Sequence, residues 1–184
     1  MGNGIAQTMA HSGYYVILYD VDEAALSRAG ERINGNLSHL VSKQIITEQD
    51  ASDIPGRITF TSNLNDCIAD LIIEAIAEDV SMKIGLFGQL AEINHSETIF
   101  TSNTSSISLT TIAESVPHPE RIAGLHFFNP APVMKLVELA QTPYTSQQVM
   151  DRLLIVIRNL GKTAVVCKDS PGFIVNRVAR PFYL

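Results

Sequence analysis

Two hydrophobic patterns alternate along this chain. Short continuous apolar runs read as strands, and stretches with apolar residues at three- and four-residue steps read as helices with one core-facing stripe. The first run, residues 14–19 (YYVILY), predicts a strand buried on both faces. Asp22 then predicts a helix cap, ahead of a stripe formed by Leu26, Ala29, Ile33, Leu37 and Leu40. Residues 58–61 predict a weak strand and residues 71–76 a strong one. Residues 81–93 return to helical period through Ile84, Phe87, Leu90 and Ala91, and residues 98–101 form the next strand. The runs at 122–128 and 135–140 are joined by a link too short for a parallel crossover, so they are expected to pair antiparallel. Ser146 opens another helix with Gly161 near its end, residues 163–167 form a last strand, and residues 169–184 begin a new helical segment.

This alternation predicts an α/β fold: a Rossmann-like, doubly wound, mostly parallel sheet with an antiparallel extension. The length of 184 residues suits one domain, or one domain plus a piece of another, and 46% hydrophobic residues supply a full core. A net charge of −6 without a basic block disfavours nonspecific nucleic-acid binding. Cys67 and Cys167 are isolated, which argues against a disulfide scaffold or zinc site and fits a reducing compartment. No apolar run approaches membrane-spanning length and no charged leader opens the chain, so a cytoplasmic protein without a membrane partner is expected.

Candidate chemistry begins at the N-terminus, MGNGIAQTMAHSGYYVILYD. Gly2 and Gly4 precede a helix of small residues, whose first amides could face a pyrophosphate. Asp20 ends the following strand, where a carboxylate accepts hydrogen bonds from an adenosine ribose and disfavours a 2′-phosphate, pointing to NAD. Taken literally, Gly2-Asn3-Gly4-Ile5-Ala6-Gln7 has glutamine in place of a third glycine; the better register makes Gly2 that third glycine. A flexible start with Asp20 as a turn residue is the alternative. His126 lies in an apolar strand, where a satisfied core histidine competes with a catalyst. Glu138, across the short link, could fix the imidazole tautomer and stabilise its charged form for acid–base work. It could equally be a solvent-facing strand residue. Ser105, after the strand at 98–101, could hold a substrate oxygen or cap a helix.

The segments NTSS (103–106), GLHFFNPAPVMKLVE (124–138) and DSPGFIVNR (169–177) resemble the L-3-hydroxyacyl-CoA dehydrogenase family in order and spacing. The resemblance covers essentially the whole chain, and the ending GFIVNRVARPFY is most similar to the bacterial phenylacetate branch that oxidises 3-hydroxyadipyl-CoA. It implies NAD-dependent oxidation of a (3S)-3-hydroxyacyl-CoA to the 3-oxoacyl-CoA, within fatty-acid β-oxidation chemistry. His126 would accept the proton of the 3-hydroxyl, and Glu138 would orient and charge-balance it. Ser105 and Asn176 would hold the reacting oxygen or the nearby ring. Gly2 and Asp20 would serve the cofactor's adenosine and phosphate side, and Glu78, Lys83 and Asn129 its nicotinamide half. Lys43 matches a position near the coenzyme A phosphate, or is an exposed lysine on a solvated face. The family begins with a strand and glycine turn of which Met1-Gly2 remain. The first strand is therefore expected to be missing, exposing strand edges. Residues 1–170 are expected to form the NAD-binding domain, and 171–184 the start of a truncated helical domain that makes a homodimer in the parent. On this view the chain alone is weak or inactive. A noncatalytic NAD- or CoA-binding protein of the same fold, or another Rossmann-type hydroxy-acid dehydrogenase, are the alternatives.

Overall fold

Asp22, Asp79, Ser108 and Ser146 each stand one residue before a helix, and each side chain accepts a backbone N–H of that helix's first turn. These caps satisfy amides that the helix itself leaves without partners, so the helix starts are written locally. The computed structural model describes residues 1–179, which divide into two compact units.

The first unit comprises residues 1–67 and 129–133. It holds α1 (Gly2–His11), β1 (Val16–Tyr19), α2 (Glu23–Ser42), α3 (Glu48–Asp53) and β2 (Ile58–Thr61). β1 and β2 pair in parallel, Val16 opposite Ile58 through Tyr19 opposite Thr61. The α2 stripe delivers Ile33 and Leu37 to a core with Ala10, Ile46, Ile54 and Ile58. β1 corrects one expectation. Tyr14 and Tyr15 precede the strand, Tyr15 is 89% exposed, and no residue of the strand is fully buried. With β2 as its one strand partner among the described residues, β1 is an edge strand; Val16 and Leu18 pack on the core and Ile17 stays exposed.

The second unit comprises residues 68–128 and residues from 134 onward. It contains β3 (Leu71–Glu74), α4 (Val80–Ile93), β4 (Ile99–Ser102), α5 (Leu109–Glu114), β5 (Ile122–Phe127), β6 (Leu136–Gln141), α6 (Gln147–Asn159), β7 (Thr163–Lys168) and α7 (Val175–Ala179). Its sheet order is β3-β4-β5-β6-β7. β3, β4 and β5 run parallel, β6 is antiparallel to β5, and β7 is parallel to β6. Every residue of β4 and β5 is buried, as expected of inner strands covered on both faces. The mostly parallel fold with an antiparallel extension is therefore present, but its strands form two sheets rather than one.

The helical segment expected from residue 169 starts only at Val175. Gly172 (φ +73°) and Phe173 (φ +43°) adopt left-handed backbone, which breaks any helix before that point. Residues 180–184, including the PFYL ending, lie outside the described residues. Helices α3 and α5 are missing from the hydrophobic-pattern reading because six residues are too few to display a period. Among the described residues no helix is long and apolar enough to cross a membrane.

Gly124 shows how tightly the second unit packs. A Cβ there would lie 2.6 Å from Leu109 Cδ1 and 2.9 Å from Ala140 Cβ. Gly124→Ala is expected to lower unfolding free energy by about 1–3 kcal/mol, read from urea denaturation against the parent sequence.

Candidate active site

The register of β5 and β6 places His126 directly opposite Glu138. Directly paired residues project to the same face, so the side chains meet. His126 Nδ1 lies 2.7 Å from Glu138 Oε2, with the His126 side chain 10% and the Glu138 side chain 0% exposed. A carboxylate oxygen accepts, so Nδ1 is the donor of this bond and Nε2 is the nitrogen that faces away from Glu138. Nε2 has no protein partner among the described residues. The second carboxylate oxygen, Oε1, accepts the backbone N–H groups of Ile174 at 3.0 Å and Val175 at 2.8 Å. These donors follow the two left-handed residues 172 and 173 and open α7. The Phe128 and Phe173 rings flank the imidazole at centroid distances of 4.7 and 5.9 Å.

A second polar cluster sits at the carboxyl ends of β3 and β4, where open α/β sheets bind ligands. Lys83, on α4 and 1% exposed, donates to Glu74 Oε1 at 2.6 Å and lies 3.4 Å from Glu78 Oε2. Glu74 also accepts from the Ile76 N–H at 2.6 Å and from the Ser102 hydroxyl. Glu78 accepts the hydroxyls of Thr104 and Ser106. Partial burial pushes the Glu78 carboxyl up, but those two hydroxyls and the Lys83 ammonium outweigh it and hold the group below its ordinary value. Asn103 ties the loop after β4 to both neighbouring strands. Its N–H donates to the Glu74 carbonyl at 2.8 Å, and its Oδ1 accepts the Phe127 N–H at 2.8 Å.

Ser105 stands in that loop, half-buried. Asn176 lies on α7, exposed, one residue beyond the amides that Glu138 holds. His126, Glu138, Ser105, Asn176, Glu78 and Lys83 thus belong to the second unit. Gly2, Asp20, Lys43 and Asn129 belong to the first. Asp20 is exposed just beyond β1, and one of its oxygens accepts the Asp22 N–H at 3.0 Å. Gly2 opens α1, and a Cβ there would meet only Leu18 Cδ1 at 3.9 Å. Gly4 is the closely packed glycine, 3.3 Å from Pro132 Cδ by the same measure. Lys43 follows α2, exposed, with no ion pair among the described residues, and Asn129 is exposed beyond β5. Among the described residues no cluster of three His, Cys, Asp or Glu side chains could hold a metal ion.

Residues 1–170 match the family model described as 3-hydroxyacyl-CoA dehydrogenase, NAD binding domain. The chain belongs to this family. It is 45% identical over its full length to 3-hydroxyadipyl-CoA dehydrogenase of Escherichia coli K12, covering 39% of that protein. It is 40% identical to the mitochondrial hydroxyacyl-coenzyme A dehydrogenase of Rattus norvegicus, covering all of this chain and 61% of that one. Among solved structures, 3-hydroxybutyryl-CoA dehydrogenase from Escherichia coli K12 superposes with a TM-score of 0.97 at 45% identity, covering 100% of this chain and 39% of that one. The chain therefore spans between about two-fifths and three-fifths of the curated relatives named here. The matched family domain is the one that binds NAD.

Glu74 and Ser102 lie outside the family motifs, and within NTSS (103–106) a role was expected for Ser105 but not for Asn103 or Thr104. Glu74 interrupts the apolar run LIIEAI (71–76), and a charge inside a buried strand was the available signal.

Two outcomes follow from the charges. A carboxyl held low stabilises the fold above its ordinary value, and that stabilisation disappears as pH falls through the folded value. The stability difference between the parent and Glu78→Gln should therefore be present at pH 7 and shrink below about pH 4, read by thermal melts across pH. Burial, helped by Glu138 and Asp169, pushes the Cys167 thiol up to about 11. At pH 8 the Cys167 peptide should alkylate with iodoacetamide roughly a hundredfold more slowly than free cysteine, followed by mass spectrometry.

Proposed function

We propose that this chain is the cofactor-binding and proton-accepting part of an NAD-dependent dehydrogenase that converts a (3S)-3-hydroxyacyl-CoA to the 3-oxoacyl-CoA. The observation that carries the reading is the buried His126–Glu138 pair, with Nδ1 committed to the carboxylate at 2.7 Å. An imidazole held this way is a general base at Nε2, and the carboxylate balances the charge it gains.

The residues fit the cofactor. Asp20 is an exposed carboxylate at a strand end, suited to ribose hydroxyls and repelling a 2′-phosphate. In the second unit the β3 and β4 ends present the Glu74, Lys83 and Glu78 cluster on the half of the fold that takes the nicotinamide nucleotide. When bound, NAD supplies the acceptor for the hydride leaving substrate C3. His126 Nε2 takes the hydroxyl proton as that bond breaks, and returns it in the reverse direction. Ser105 and Asn176 hold the reacting oxygen or the nearby ring. Gly2 serves the phosphates, Glu78, Lys83 and Asn129 the nicotinamide half, and Lys43 the coenzyme A phosphate.

The proposal extends to 3-hydroxyadipyl-CoA as substrate, supported by identity to the relative named for it, and to phenylacetate breakdown as the setting that the ending GFIVNRVARPFY resembles. It takes residues 1–170 as the NAD-binding domain and 171–184 as the start of a helical domain through which the parent dimerises. A cytoplasmic location is supported by the cysteine usage, two residues far apart in the sequence with no CxxC pair.

In the protein bearing these residues, His126→Ala should lower kcat for acetoacetyl-CoA-dependent NADH oxidation by about 10²–10⁴-fold, with a much smaller effect on KM. Turnover unchanged by the substitution would remove the assignment.

A further inference from the structure

Glu74 is the buried carboxylate that the reaction outlined above leaves without a task. It ends β3, is 3% exposed, and receives three hydrogen bonds: from Lys83, from the Ile76 N–H and from Ser102. Its partner Lys83 has two carboxylate neighbours for three N–H groups and is 1% exposed. A buried pair of this kind is weak evidence for stability, because desolvation offsets much of the attraction. Its position is more informative. Glu74, Lys83 and Glu78 lie at the carboxyl ends of parallel strands, on the half of a doubly wound fold that takes the second nucleotide of a dinucleotide. Two carboxylates and one ammonium sum to a single negative charge, and the α4 stem and the β3–β4 backbone hold that charge in place.

We propose that Glu74 is a positioning residue which, through Lys83, sets this net negative charge and makes the site discriminate between the redox states of the cofactor. The nicotinamide ring is cationic when oxidised and neutral when reduced. A fixed negative charge beside it strengthens binding of the oxidised form and leaves the reduced form almost untouched. The inference rests on the NAD reading of the preceding subsection. It concerns the balance between two cofactor states rather than turnover.

Dissociation constants for NAD+ and NADH test it. NADH is followed by its own fluorescence, without indole interference because the chain has no tryptophan. NAD+ is followed by calorimetry. Glu74→Gln removes one negative charge and should lower the ratio Kd(NADH)/Kd(NAD+) about fivefold or more. The double variant Glu74→Gln with Lys83→Met leaves Glu78 alone, restores the single negative charge, and should return the ratio to within about twofold of the parent. Glu78→Gln, at a partly exposed position, makes the same change of charge and should shift the ratio in the same direction even if the buried variants fail to fold. Both constants moving together in Glu74→Gln, or a ratio unmoved in Glu78→Gln, would overturn the proposal. It would mean that the cluster is only a structural lock. A parent protein that binds neither form overturns the NAD reading as well. One that binds both with a charge-insensitive ratio overturns this inference alone.

Discussion

The Glu138 carboxylate holds together β5, β6 and the start of α7 in the second unit. It is fully buried, and an unpaired carboxylate there would be strongly disfavoured. Three charge-assisted hydrogen bonds offset that penalty, one from His126 and two from the amides of Ile174 and Val175. Each bond also settles a piece of geometry. The first leaves Nε2 of the imidazole as the open nitrogen. The other two seat the start of α7, after a left-handed turn that includes Phe173, a residue with an intrinsic preference against that backbone. Phe173 then buries its ring against Leu109 and Ala140, beside the glycine whose missing side chain makes room. One carboxylate thus joins two consecutive strands to a helix that starts 37 residues further along the chain.

The second cluster follows the same logic at the ends of β3 and β4. Parallel strands place their carboxyl ends side by side, so residues 28 apart, Glu74 and Ser102, become hydrogen-bonded neighbours. Asn103 links that cluster to the His126 strand through the Phe127 amide. His126 and Glu74 therefore stand on one five-stranded sheet. Rigid elements hold reacting groups in place better than loops do.

Much of this was legible along the chain. The strands at β2 and β4 to β7 lie within a residue of their expected limits, most plainly β5, whose full burial writes a continuous apolar run. The caps Asp22 and Ser146 were visible because a cap is a local interaction. The short link at residues 129–134 implied the antiparallel pair and so put Glu138 within reach of His126. The edge position of β1, the late start of α7 and the role of Glu74 were not legible. Each depends on which strand or carboxylate lies alongside, and hydrophobic periodicity carries no such information.

By itself, the sequence determined the succession of seven strands, the starts of α2 and α6, and the antiparallel return after β5 that pairs His126 with Glu138. These rest on interactions among near neighbours or on motifs long enough to be specific. Only the tertiary structure decided which nitrogen of His126 is open, which amides Glu138 holds, and which buried carboxylate accompanies Lys83. Those are matters of hydrogen-bond direction between segments far apart in the chain, and they exist only once β-sheet register has brought the segments together.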